Sequence, residues 1–302
     1  MSKTKKLKLG IPYMGSKRKL ASPILDHIIE SNPKVRYLYD LFGGGGAISF
    51  EALQQPQLKE VHYNELNESI VNLLLKIRDD GVTDEFYKWI SREEFNELKT
   101  GTCWKSGLIK TCWSFGNNQK DYLYGKATEE DKRLMHEIVV NKCEKSLNTF
   151  NDKFGLDFKN DGDSMTDRRL QLQSYIKTEL KTRVGELQHL ERLIHLERFQ
   201  QLQQLTNLER LKITNLSYEQ VNINTPVDET VIYLDPPYKN RKKYEKEIDH
   251  NKLEEWIKSS PYKIYISSYE FDGLREVANF NHRSTLSATV NNKVTERLFC
   301  NR

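Results

Sequence analysis

The chain has 302 residues, 37% hydrophobic and 30% charged, enough for one large domain or two modest ones with cores of their own. No run approaches the roughly 18 apolar residues of a membrane span, and Cys103, Cys112, Cys143 and Cys300 form no C-x-x-C pair, which argues against a transmembrane role, a zinc site and a disulfide framework. With 47 Lys+Arg against 43 Asp+Glu, the net charge of +4 permits a nucleic-acid partner without requiring one.

The basic start, Met1-Ser-Lys-Thr-Lys-Lys, leads into Leu7-Lys-Leu-Gly rather than an apolar signal core, so a cytoplasmic protein is expected. Leu20, Ile24, Leu25, Ile28 and Ile29 repeat at helical spacing, and Ser31-Asn32-Pro33 closes that helix. Val35 to Asp40 reads as a strand running into Gly43-Gly44-Gly45-Gly46, followed by a helix from Ala47 to Leu53. A second strand is expected at Glu60 to Asn64 and a second helix at Ser69 to Ile77. Strand, helix, strand, helix implies a parallel sheet with crossover helices.

From about Asp84 to Gln204 the character changes. Helices are expected at Asp84 to Leu98 and Glu129 to Asn148, separated by an aromatic, Asn- and Gly-rich loop around Trp113 to Asn118 and followed by a polar stretch, Asn160 to Ser164. This middle region reads as an inserted second domain. Leu187, Leu190, Leu193, Leu196, Phe199, Leu202, Leu205, Leu208 and Leu211 recur every third residue. A stripe of that period winds around a helix, which argues against one straight amphipathic helix and leaves open a recognition element or a repeat packed on the core or on a second subunit. The alternating pattern resumes at Leu211 to Thr214. Thr230 to Asp235 reads as an apolar strand ending in an acid, Asn251 to Ser259 as a helix and Lys263 to Ser267 as a strand. Thr285 to Val290 and Val294 to Cys300 read as a hairpin turning at Asn291-Asn292.

Three segments carry chemistry. Asp235-Pro236-Pro237-Tyr238 follows a buried-type strand; two prolines force the chain out of the sheet with stiff geometry, presenting a carboxylate, an oriented carbonyl and an aromatic ring where open α/β sheets bind ligands. Asp40 with Phe42, Gly43, Gly44, Gly45 and Gly46 is a strand–glycine loop–helix unit matching neither a Walker A loop nor a G-x-G-x-x-G fingerprint; with Glu65 after the next strand it suggests an adenosine-containing cofactor. Pro12-Tyr13-Met14-Gly15-Ser16-Lys17 is a glycine turn ending in a lysine. Nothing in the pattern asks for a metal.

These three segments, in this order, resemble the Dam-like, alpha-group adenine-N6 DNA methyltransferases of phages and restriction-modification systems. The resemblance implies an α/β, Rossmann-like methyltransferase core with a mixed sheet, formed by residues 1–80 and 206–302, and a mainly helical DNA target-recognition insertion at 81–205. It further implies S-adenosylmethionine held by Tyr13, Met14, Gly15, Lys17, Asp40, Phe42, Gly43, Gly44, Gly45, Glu65, Tyr218 and Asp235. Catalysis would fall to Asp235, Pro236, Pro237 and Tyr238 acting on a flipped adenine of double-stranded DNA. Trp113, Asn117, Asn118 and Tyr122 stand where the family's recognition loops do. Lys239, Arg241 and Lys242 could hold flanking phosphates or form a solvated loop. A cognate restriction endonuclease is an implied partner, and dimerisation through the leucine repeat is left open. Cytosine N4 or RNA adenine as target, and a non-catalytic DNA-binding relative, are the alternatives; Asp at position 235 speaks against the first two, and the intact glycine loop against the last.

Overall fold

The computed structural model describes residues 9–179, 190–205, 207–237, 248–269, 271, 273–283 and 293–302. The described chain divides into two compact units, one of residues 9–10, 15–78 and 205–302, the other of 11–14 and 79–204. Among the described residues there are ten α-helices and seven strands, and no helix is long and apolar enough to cross a membrane.

The first unit is the Rossmann-like α/β fold anticipated from the sequence. Its strands are β1 (Tyr37–Asp40), β2 (Glu60–Asn64), β3 (Leu211–Thr214), β4 (Thr230–Leu234), β5 (Lys263–Ser268), β6 (Arg275–Arg283) and β7 (Lys293–Cys300). They form one sheet in the order β3-β2-β1-β4-β5-β7-β6, in which β3 to β5 run parallel and β7 is antiparallel to both its neighbours. Every residue of β4 is buried, the mark of a central parallel strand covered on both faces. On one face Tyr39, Ile232, Leu234, Ile264 and Ile266 pack with Leu253 and Ile257 of a helix at His250–Ser259. The helices α1 (Ala21–Glu30), α2 (Ala47–Leu53) and α3 (Glu68–Asp80) also bury apolar stripes, Ile24, Leu25 and Ile28 in the first. Strand order reverses at β1, so the crevice that open α/β sheets offer to ligands lies off the carboxyl ends of β1 and its neighbours.

The second unit contains α4 (Arg92–Leu98), α5 (Trp104–Cys112), α6 (Glu129–Asn141), α7 (Glu144–Phe154), α8 (Met165–Glu179) and α9 (Glu191–Leu202); the helix at 250–259 in the first unit is α10.

Several expected elements are corrected. The helix expected at 84–98 is a short turn at Asp84–Tyr87 followed by α4, because Lys88 is extended and Ser91 caps α4, accepting a hydrogen bond from the Glu94 N–H. The helix expected at 129–148 breaks where Lys142 takes a left-handed backbone (φ 51°), ending α6 without a glycine to announce it. The strand pairing with β7 is β6, a polar edge strand with an irregularity at Glu276/Ala278; Thr285 to Val290 and the turn at Asn291-Asn292 lie outside the described residues. The leucine repeat is not one element. Leu190 to Leu202 belong to α9 and its cap, and Leu211 opens β3. Leu190, Leu193, Leu196, Phe199 and Leu202 are all buried, because α9 is enclosed on most of its circumference, which is the condition under which a stripe of period three can be buried on a straight helix. Leu190, Leu193 and Leu196 are therefore spent within the unit and offer no face to a second copy; Leu187 lies outside the described residues.

Candidate active site

Three carboxylates meet at the carboxyl ends of adjacent parallel strands: Asp40 closes β1, Glu65 follows β2 and Asp235 follows β4. Asp40 is buried and accepts a 2.8 Å hydrogen bond from Ser49 Oγ on α2. Burial pushes its carboxyl up to about 7 against the opposing Ser49 hydrogen bond, and the charges of Asp235 and Glu65 push in the same direction as burial. Burial also raises Glu65, although its two oxygens accept backbone hydrogen bonds of 2.9 Å from the Gly44 and Asn67 N–H groups. With the Leu66 N–H also bonded to it, the carboxylate keeps acceptor capacity for one ligand hydroxyl.

Glycines are required in the loop from β1 to α2 for specific reasons. A Cβ on Gly43 would stand 2.1 Å from the Tyr63 ring, whose hydroxyl donates to the Gly44 carbonyl at 2.7 Å. Gly46, the residue preceding α2, has φ 71°, and a Cβ there would meet Phe50 at 2.7 Å. The loop is tied down by Gly43 N–H to the Asn64 carbonyl and Gly46 N–H to the Gly43 carbonyl, both 2.8 Å. Beside it, the rings of Phe42 and Tyr218 lie 5.5 Å apart, with Trp256 edge-on to Tyr218 at 5.4 Å. Burial pushes the Tyr218 phenol up to about 12. Ser217 spends its hydroxyl in a capping box with Gln220.

Lys17 Nζ donates to Asp235 Oδ1 at 2.8 Å and lies 3.5 Å from Glu296 Oε1 on β7. Only 8% of the Lys17 side chain is exposed. A mostly buried ammonium held between two carboxylates fixes the position of Asp235 where two prolines have already stiffened the backbone. Behind it, the Tyr233 hydroxyl shares a 2.7 Å hydrogen bond with Ser267 Oγ, and burial raises that phenol well above its ordinary value.

Of the residues nominated from the sequence, Lys17, Asp40, Phe42 to Gly45, Glu65, Tyr218 and Asp235 to Pro237 belong to the first unit, while Tyr13 and Met14 belong to the second. Tyr238, Lys239, Arg241 and Lys242 lie outside the described residues. Glu296 reads from the sequence only as part of the last strand and has no nominated role; its contact with Lys17 comes from the sheet order.

In the second unit the nominated recognition loop is a small rigid hairpin. Ser114 bridges Tyr122, Phe115 N–H donates to the Asp121 carbonyl at 2.8 Å, and Asn118 Oδ1 accepts from the Lys120 and Asp121 N–H groups. Trp113 and Tyr122 are corrected from DNA-facing residues to buried supports: Trp113 has no exposed surface, and the Tyr122 hydroxyl is turned inward onto the Ile90 carbonyl at 2.7 Å. Asn118 is largely consumed by its own turn. Asn117 is half-buried, and Phe115, which the sequence did not single out as a contact, is 65% exposed at the tip.

A family model described as D12 class N6 adenine-specific DNA methyltransferase matches residues 13–207, about two thirds of the chain; the Asp235-Pro236-Pro237 segment falls beyond the matched stretch. No curated protein matches the chain.

Proposed function

The chain belongs to the D12 class N6 adenine-specific DNA methyltransferases, and from that premise we propose that it takes its methyl group from S-adenosylmethionine and acts at Asp235 on an adenine turned out of the duplex. The observation that carries this reading is the convergence of Asp40, Glu65 and Asp235 beside a glycine loop. Closely placed buried carboxylates suit a ligand that brings positive charge, and S-adenosylmethionine carries both an ammonium and a sulfonium. The donor set fits the rest of that cofactor. Glu65 can accept from a ribose hydroxyl, Phe42 and Tyr218 offer aromatic faces to the adenine, and Lys17 can serve the methionine end.

When bound, the cofactor supplies a methyl group on a sulfonium sulfur, open to in-line attack. The chain must make the adenine amine a nucleophile, because its lone pair is delocalised into the ring. The Asp235 carboxylate and the Pro236 carbonyl accept the two amine hydrogens, so that the lone pair leaves the plane of the base. Lys17 holds the Asp235 carboxylate through Oδ1. The proton that the nitrogen must lose on methylation passes to that carboxylate and then to solvent. Tyr238 is assigned the stacking face for the extruded base. Residues 79–204 are assigned to target recognition in this reading, and the exposure of Phe115 supports giving it and Asn117 the contacts of the loop with DNA.

The test is to incubate the protein with unmodified duplex DNA and methyl-labelled S-adenosylmethionine, digest to nucleosides and identify the labelled base. Label in N6-methyladenine supports the whole reading. Label in N4-methylcytosine overturns the assignment of the amine, and absence of label with cofactor binding intact overturns catalysis at Asp235.

A further inference from the structure

Buried side-chain nitrogens and oxygens without a hydrogen-bond partner gather in one cluster in the second unit: Tyr87 Oη, Trp113 Nε1, and Arg192 Nε and Nη1, beside His136, whose ring hydrogen-bonds the Tyr87 backbone. The groups are neighbours. The Arg192 guanidinium lies 4.2 Å from the centre of the Trp113 ring, Trp113 and His136 are 6.1 Å apart between ring centres, and Arg192 acts electrostatically on both Tyr87 and His136. Arg192 is 1% exposed and His136 2%. The hydrogen bond made by the Arg192 guanidinium is a 3.3 Å contact from Nη2 to the Phe86 carbonyl. The strongest electrostatic influences on it come from Cys112, Tyr124, Tyr122 and Tyr87, and among the described residues no carboxylate forms an ion pair with it.

A guanidinium stays charged when buried, and leaving its charge uncompensated costs far more than leaving a neutral group without a hydrogen bond. Three of these four atoms, Arg192 Nε, Arg192 Nη1 and Trp113 Nε1, can only donate, and Tyr87 can donate, while neutral His136 spends its one N–H on the Tyr87 carbonyl. One water accepts two hydrogen bonds and brings no charge, so water satisfies part of the set and leaves the cation alone. We propose that Tyr87, Trp113 and Arg192 form a buried site for a small inorganic anion of the halide class, with the His136 ring packed beside it. These four atoms are sealed from solvent and the rings stand close, which excludes a DNA phosphate and favours an ion of one or a few atoms. Trp113 and Tyr122 brace the hairpin that bears Phe115, so the ion is part of what makes that loop rigid.

The test is thermal unfolding of the full-length protein at constant ionic strength in sodium chloride, bromide or gluconate, the last too large to enter. A bound anion gives a melting temperature about 2–4 °C higher in chloride than in gluconate, saturating with chloride concentration. Trp113→Phe keeps the ring and removes one donor, and should shift the chloride midpoint about tenfold; Arg192→Met should abolish the dependence. Should Arg192→Met not fold, a bromide-soaked crystal decides the matter, with an anomalous peak between Arg192 Nη1 and Trp113 Nε1 expected. A melting temperature that follows ionic strength alone, or a bromide crystal without that peak, overturns the proposal.

Discussion

Lys17 and Asp235 are 218 residues apart in sequence and 2.8 Å apart in space, and Glu296 approaches the same ammonium from a third segment. Removing the cation leaves two mostly buried carboxylates facing each other. Lys17→Met should therefore destabilise the protein by about 3 kcal/mol, read from denaturant unfolding, and weaken cofactor affinity at least tenfold by calorimetry. Lys17→Arg should recover much of the stability but not the affinity, since the guanidinium fork cannot occupy the space of an ammonium. Equal affinity in all three proteins would remove Lys17 from the site.

Asp235→Asn keeps the shape of the side chain and exchanges one acceptor for a donor. The methylation rate constant should fall by roughly 10² to 10⁴ with cofactor still bound, and the melting temperature should drop, because the mostly buried Lys17 ammonium loses one of its carboxylates. Unimpaired single-turnover methylation would refute the role given to this carboxylate.

The Asp40 carboxyl, raised to about 7, holds a proton in the folded protein that the unfolded chain loses near its ordinary value of 3.8. Its ionisation thus costs stability, a cost absent below pH 3.8, growing through the interval and complete above 7. Asp40→Asn should raise the melting temperature of the ligand-free protein at pH 8 and leave it nearly unchanged at pH 4. A cationic ligand favours the ionised form, so S-adenosylmethionine should bind more tightly as pH rises from 6 to 8, releasing protons detectable in buffers of different ionisation enthalpy. A flat affinity profile would contradict this.

Gly43→Ala drives a methyl group into the Tyr63 ring and should cost about 1–3 kcal/mol, together with cofactor binding. Gly81, with φ 75° and open space around it, is the control: Gly81→Ala pays only for the left-handed backbone, about 1 kcal/mol, and should leave binding intact.

Phe115→Ala removes an exposed ring from a loop held by backbone hydrogen bonds. DNA affinity should fall about tenfold, in line with about 1–3 kcal/mol per stacked base, while the melting temperature stays constant. A fluorescence-anisotropy titration with duplex DNA decides this.

The parts of the fold that were legible in the sequence are those fixed by local chemistry. Tyr37 to Gly46 and Thr230 to Pro237 are short apolar runs stopped by residues that cannot continue a ladder, so strand, exit and ligand-facing end could all be read from them. The pairing of Lys17 with Glu296 could not, because it depends on which strand lies beside β5, and strand order is a property of the whole sheet. Trp113 and Tyr122 show the complementary limit. Their residue types suit nucleic-acid contacts, but the same types suit a core, and it is the direction of the Tyr122 hydroxyl toward Ile90 that decides. Phe115 was obscured for the same reason, as one ring among several in an aromatic segment.

The sheet order has a consequence for biosynthesis. β7 emerges from the ribosome after β5 and β6 yet ends up between them, so neither of those strands can reach its final neighbour until β7 is made. A nascent chain that has completed its five parallel strands still presents β5 as an open edge, inviting pairing with another chain, and still lacks Glu296. Shielding that edge and bringing Glu296 to Lys17 are achieved by one event, the docking of β7 between β5 and β6.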